Sequence, residues 1–294
     1  MSCHDFREKV ILMNVYWNGE VVPQEQAKVN PLDRGFLLGD GIYEVVRIYQ
    51  GMAFELEAHQ ERFDRSAQRI GLLQEYPRLK VVLDALMAQQ SDQLMDGMLY
   101  LQTSRGVAPR KHFFPNPPVA PSTFGFLSPL PRPDLMNRAM ARSTSVDDRR
   151  WLDCDIKSIS LLGAVMAAQK AQETGSVEAI LHRDGRVTEG SHTNVFAVID
   201  GVLRTHPPDH WILNGITRQV VVQLARSRGM SVLEDAVTLE ELRKADELFL
   251  TGTTVEIWPV SHLDGLKVGG QAPGELTCQL MKAFNERVSG KVDA

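Results

Sequence analysis

The chain has 294 residues, 43% of them hydrophobic and 23% charged, and at roughly 150 residues per domain this suggests about two globular domains. A formal charge of −5 argues against a general nucleic-acid binder, and the longest clear apolar run, Leu161–Ala168, is far short of the roughly 18 residues that cross a bilayer. The opening MSCHDFREKV has no signal-peptide core, and three distant cysteines (Cys3, Cys154, Cys278) imply neither a disulfide framework nor a zinc cluster, so a soluble cytoplasmic protein is expected.

In chain order, Leu12–Trp17 and Glu20–Val22 flank Asn18-Gly19 and read as a hairpin. PLDRGFLLGDG then reads as a loop leading into a strand at Ile42–Tyr49, rich in β-branched and aromatic residues. Glu57–Leu73 has the helical spacing, with Phe63, Ala67, Ile70 and Leu73 on one stripe. Pro77 suits the first turn of a second helix running to about Gln90. Leu99–Ser104 and Thr123–Leu127 return to strand character around a proline-containing loop, Arg105–Ser122. SPLPRPD, at 128–134, holds three prolines and reads as a linker between an N-terminal domain, 1–127, and a C-terminal one, 135–294.

Beyond the linker, Ala139–Ser145 reads as a strand and Ser160–Glu173 as a helix of small residues. Val177–His182 and Val187–Thr188 flank Asp184-Gly185, and Asn194–Ile199 and Val202–Arg204 flank Asp200-Gly201, giving two more hairpins. Thr217–Arg228 reads as a helix stopped by Gly229, and Thr238 with Glu241 has the spacing of a capping box. Glu247–Leu250 is a further strand, and a last helix starts near Pro273 and fades at Gly290. Hairpins mixed with helices favour an α+β fold over strict βαβ alternation.

Dinucleotide, P-loop, zinc-protease and hydrolase-elbow motifs are absent from the sequence. His206 and His210 are four apart but lie in a proline-broken stretch without a third ligand nearby in sequence, so no metal is expected. Lys157, in RWLDCDIKSISLLGAV, has apolar neighbours that would desolvate its amine and make it nucleophilic, although a lysine near a helix start is ordinarily solvated. Glu189, in VTEGSHTN, reads by itself as a surface carboxylate at a strand end. GITR at 215–218 opens a helix and TGTT at 251–254 follows a strand, and both suit an anion. Arg62 on a helix face and the cluster Arg110-Lys111-His112 add positive charge. A lysine, a glutamate and two anion sites together suit a phosphorylated cofactor.

These segments, in this order, resemble the fold-type IV pyridoxal-phosphate aminotransferases, the D-amino acid group most of all. The resemblance runs from YWNGEVV at 16 to the last helix and is carried by DRGFLLGDGIYEVVR, RGVAPRKHFFP, RWLDCDIKSISLLGAV, EAILHRDGRVTEGSHTNVF, GITR and GTTVEIWPV. It implies an α+β enzyme with two mixed-sheet, barrel-like domains. Lys157 would hold pyridoxal 5'-phosphate as a Schiff base and shuttle the substrate proton. Glu189 would face the pyridine nitrogen. Arg62, Ile216, Thr217 and Thr253 would form the phosphate cup, and Leu213 would lie against the ring. Tyr43 would stand near the Schiff base and the substrate carboxylate.

The resemblance further implies that Arg110 and His112 grip the substrate α-carboxylate from the neighbouring subunit of a homodimer, with D-amino acids and 2-oxo acids as substrates. Three positions depart from the pattern: His192, where serine is expected, which either alters hydrogen bonding behind the cofactor or, as the preferred reading, fills space; Lys111 between the gripping pair; and the bulky Trp258. An (R)-selective amine transaminase, a branched-chain L-amino acid aminotransferase and an aminodeoxychorismate lyase-like enzyme are the alternatives on this fold. A non-enzymatic binding protein is the alternative outside it.

Overall fold

A computed structural model describes residues 13–90, 94–270 and 273–290; Leu12, Cys3 and the opening segment lie outside them. The first half builds one antiparallel sheet. Strands β1 (Asn14–Trp17) and β2 (Glu20–Pro23) form the first hairpin, with positive φ at both Asn18 and Gly19. A five-residue helix, α1 (Arg34–Leu38), replaces the expected loop, because Asp33 caps it by accepting from the Gly35 N–H and Gly39 closes it in the left-handed region. Strands β3 (Gly41–Tyr49) and β4 (Met52–Ala53), helices α2 (Leu56–Arg69) and α3 (Leu79–Met87), and strands β5 (Gly97–Ser104) and β6 (Ser122–Pro129) follow. The strand order is β2-β1-β6-β5-β3-β4. β6 continues through Ser128 and Pro129, paired with Met98 and Gly97, so the first two residues of the proline-rich segment are sheet.

Alternate residues of β3, Ile42, Val46 and Ile48, pack with Leu99 and Leu101 of β5 against Phe63 and Ala67 of α2 and Val82 and Leu86 of α3. Leu73, expected on the buried stripe of α2, is exposed. The helix has ended by Ile70, and Gly71, at φ +64°, turns the chain away.

The second half builds a nine-stranded mixed sheet. Its elements are β7 (Ala141–Asp147), α4 (Leu162–Glu173), β8 (Glu178–Arg183), β9 (Arg186–Gly190), β10 (Asn194–Ile199), β11 (Val202–Thr205) and α5 (Ile216–Ser227), then β12 (Val232–Glu234), α6 (Leu239–Arg243), β13 (Glu247–Gly252), β14 (Glu256–Leu263), β15 (Leu266–Lys267) and α7 (Glu275–Val288). The order is β12-β11-β10-β13-β14-β7-β8-β9, with β15 on β14, and the β7–β8, β7–β14 and β11–β12 pairs are parallel. Strands β10 and β13 are buried on both faces. Phe196 and Phe249 stack 5.0 Å apart toward α5 and α7, while Val195, Ala197, Leu248 and Leu250 join an inner core with Val260 and Leu263. This double burial accounts for the unbroken apolar stretches Val195–Ile199 and Leu248–Leu250 within them.

The sheets meet along the start of β3. Tyr43 donates its N–H to the Lys157 carbonyl at 3.0 Å, Ile159 donates to the Gly41 carbonyl at 3.1 Å, and Ile42 bridges Ser158. Residues 157–159 therefore occupy a strand edge of the first half although they belong to the second. Phe54 against Phe284 and the Arg132–Glu256 and Arg287–Glu55 ion pairs hold the other end of the junction.

Candidate active site

A cavity opens at that junction. It is lined by Tyr43 and Arg62 from the first half and by Lys157, Glu189, Leu213, Ile216, Thr217 and Thr253 from the second. Eight of the ten residues singled out from sequence are thus neighbours, although they span more than two hundred positions. Lys157 is half-buried, its backbone fixed by the β3 edge and by a hydrogen bond from its N–H to Ser66 Oγ at 3.2 Å. Its Nζ stands 4.1 Å from the Tyr43 ring centroid, and Tyr43 itself stacks on Tyr100.

Glu189 is a buried carboxylate, not the surface group its strand-end position suggested. Oε1 accepts from Arg150 Nη1 at 2.5 Å, and Oε2 accepts from Asn194 Nδ2 and from the Leu213 N–H, each at 3.1 Å. Burial pushes its pKa up to about 7, against the pull of Arg150. Arg150 is in turn gripped by Asp148, whose buried carboxyl the arginine holds down to about 2.

The other end of the cavity is an anion cup. Helix α5 begins at Gly215 with no side-chain cap, so its first N–H groups and the positive end of its dipole face inward. Thr217, Thr251 and Thr253 supply hydroxyls, and Thr251 Oγ1 is buried without a partner among the described residues. Gly215 leaves no room for a side chain, since a Cβ there would stand 2.1 Å from Asn194 Oδ1. Arg62 is buried beside the cup, its Nε and Nη2 on Glu44 at 2.7 and 2.8 Å and its Nη1 toward the Asn214 carbonyl at 3.4 Å. An orphaned hydroxyl, an uncapped helix and an arginine at one end, a carboxylate at the other and an amine between fit a planar, phosphorylated, nitrogen-bearing ring.

Arg110 and His112 do not line this cavity; both are exposed on the loop after β5. His192 is also exposed at the cavity wall, so it does not fill space. Its Nδ1 lies 3.0 Å from Glu178, which also accepts from Ser191 and Thr193. Lys111 is exposed near the Phe113 ring. Trp258 lies off the cavity, where its Nε1 donates to the Ala139 carbonyl at 2.9 Å and the Arg138 guanidinium stacks on it.

Sequence reading missed Glu44, Arg150 and Asn194. For Glu44 a signal existed: it falls between Ile42 and Val46 on the core-facing side of β3, where a lone charge demands a buried partner. Arg150 and Asn194 have no such local mark.

The amino-transferase class IV profile matches residues 41–263. The D-alanine aminotransferase of Bacillus licheniformis is 42% identical over 94% of this chain and 97% of its own, and that of Staphylococcus epidermidis is 40% identical over 94% and 98%. The chain belongs to the class IV aminotransferases. It is therefore a pyridoxal 5'-phosphate-dependent enzyme with the fold-type IV architecture. Among solved structures, the branched-chain aminotransferase of Thermoproteus uzoniensis is 31% identical at a TM-score of 0.83, covering 96% of both chains. The Escherichia coli branched-chain enzyme is 25% identical at 0.86, again covering 96% of both.

Proposed function

We propose that this enzyme transfers the amino group of a D-amino acid such as D-alanine to 2-oxoglutarate or another 2-oxo acid, with each amino donor leaving as its 2-oxo acid. The observation that carries the reaction class is the single cavity joining Lys157, Glu189 and the cup around α5. The D-alanine aminotransferase relatives and the Arg110-x-His112 pair support the D substrate. When bound, the cofactor supplies an aldehyde for the amine and a conjugated ring that takes up the electron pair left at substrate Cα. Thr217, Thr253, the Ile216 backbone and Arg62 would hold its phosphate, and Leu213 would face its ring. Glu189 keeps the ring nitrogen's proton in place. Lys157 Nζ takes the proton from substrate Cα and returns one on the same face, beside Tyr43.

Arg110 and His112, which do not line the cavity of their own chain, bind the α-carboxylate in a second copy of the chain, giving a homodimer with shared sites. Supporting this, α4 presents Leu162, Val165 and Met166 to solvent next to the exposed Leu161, Trp151 and Leu152. The two sheets form separate domains joined by the proline-rich segment, and the enzyme acts in the cytoplasm; among the described residues no helix is long and apolar enough to cross a membrane.

The test is to incubate pure enzyme with D-alanine and 2-oxoglutarate and to assay pyruvate and D-glutamate. Turnover of L-leucine with none of D-alanine would favour the branched-chain alternative. Borohydride should abolish the visible Schiff-base band and leave the cofactor covalently attached in the wild type, whereas Lys157→Ala should show neither the band nor the attachment.

A further inference from the structure

Three side chains, two from the stretch that leads into β3 and one from the end of β5, meet beneath the loop that carries Arg110 and His112. Asp40, at the entry to β3, accepts from Arg34 Nε at 2.7 Å and from Arg105 Nε at 2.9 and 3.1 Å. Both arginines are almost wholly buried, so their remaining N–H groups need acceptors from the protein. Arg34 Nη1 donates to the carbonyls of Lys111 at 2.7 Å and Phe113 at 3.3 Å. Arg105 donates to the carbonyls of Ile70 at 2.6 Å and Gly71 at 3.0 Å, just past α2, and its guanidinium lies 3.6 Å from the Phe114 ring centroid.

The segment 108–121 has no regular secondary structure to set its shape. What holds it at 111 and 113 is a planar, charge-assisted fork anchored by a carboxylate. The two pinned carbonyls bracket His112 and begin one residue after Arg110, while those two side chains stay exposed. Nothing in this cluster reaches Lys157 or the anion cup, since Arg34, Asp40 and Arg105 all lie outside the cavity lining.

We propose that Asp40 and Arg34 are positioning residues for substrate recognition: through the Lys111 and Phe113 carbonyls they hold Arg110 and His112 in the geometry that grips the α-carboxylate, and Arg105 ties the same anchor to the end of α2. The inference rests on the carboxylate role given to Arg110 and His112 above. It assigns to the buried cluster an effect on binding and none on proton transfer at Cα.

Two variants test it in the holoenzyme. Arg34→Lys keeps a charge beside Asp40 but loses the planar fork; Asp40→Asn keeps the shape and removes the charge both arginines share. Each should raise KM for D-alanine and for 2-oxoglutarate about fivefold or more and leave kcat within about twofold, because both substrates carry the α-carboxylate. Arg110→Ala/His112→Ala should raise the same KM values at least as far, and adding Arg34→Lys to that chain should make it little worse. Unchanged KM in both anchor variants, or effects of Arg34→Lys that simply add to those of Arg110→Ala/His112→Ala, would overturn the proposal. A lower melting temperature with KM unchanged would overturn it too, since the cluster would then act on the fold alone. If Arg110→Ala/His112→Ala itself leaves KM unchanged, the carboxylate role fails instead.

Discussion

Arg150 Nη1 lies 2.5 Å from Glu189 Oε1, and that one contact opposes the burial of a carboxylate beside the cavity. Burial dominates: the Glu189 pKa sits at about 7, raised from 4.5. In the folded chain the group therefore keeps its proton through a window, from about pH 4.5 to about 7, in which the unfolded chain has lost it. The folded state binds more protons there, so stability falls as pH rises across the window, by on the order of 3 kcal/mol at about 1.4 kcal/mol per pKa unit. Cofactor-free wild type should lose stability relative to Glu189→Gln between pH 5 and pH 8. Melting temperatures of both chains at the two values measure this, and a gap that does not change with pH would contradict it.

Glu44 behaves in the opposite sense. Burial alone pushes its carboxyl up, but Arg62 and His59 outweigh it and hold the group well below the usual carboxylate range. Its contribution is full above the unfolded value near 4.5 and fades as pH falls below that, toward the folded value. Glu44→Gln leaves Arg62 buried without its counter-charge, which costs about 3–5 kcal/mol for a buried pair broken on one side. The variant should melt earlier at pH 7, by a margin that narrows toward pH 3. It should also lose cofactor on dialysis faster than wild type, because Arg62 is no longer fixed beside the cup.

Local chemistry made the hairpins readable. Asn18-Gly19, Asp184-Gly185 and Asp200-Gly201 all adopt the positive φ pairs their residues favour. The Thr238–Glu241 capping box forms with both of its reciprocal bonds. Strand β14 escaped because Pro259 interrupts its pattern, yet it pairs with β13 and tolerates a register shift at 260–262. Lys157, Glu189 and the cup residues were each weak alone; only their shared order along the chain gave them roles, and only the fold closes them around one cavity. The Arg150–Glu189 and Glu44–Arg62 pairs depend on contacts 39 and 18 residues apart, which no local pattern encodes.

Gly215 is required for space, not for an unusual backbone, since its φ of −60° suits any residue. A methyl group there would meet Asn194 Oδ1, and Asn194 holds both Glu189 Oε2 and the Leu213 carbonyl. Gly215→Ala should therefore fold but weaken cofactor affinity about tenfold or more by disturbing both ends of the cavity. Asn194→Ala removes the clashing atom. The Gly215→Ala/Asn194→Ala double variant should bind the cofactor about as well as Asn194→Ala alone. Fluorescence titration with the cofactor decides it; additive losses would mean the glycine acts by some other route.

The exposed face of α4 and the exposed Arg110 make one combined prediction. Leu162 is 72% and Met166 62% exposed, on a helix whose opposite side packs Ala167 and Ala171 on β8. Leu162→Glu with Met166→Glu should give a monomer by light scattering, with the fold retained and D-alanine turnover lost. If Arg110 serves the partner's cavity, a heterodimer of one Lys157→Ala chain and one Arg110→Ala chain contains one intact site, with Lys157 from the second chain and Arg110 from the first. Purified through two different tags and assayed at low D-alanine, it should recover about half of wild-type activity, one closed two-fold site of two. If Arg110 served its own chain, each site of that heterodimer would carry one defect and activity would stay near that of the Arg110→Ala homodimer or below it.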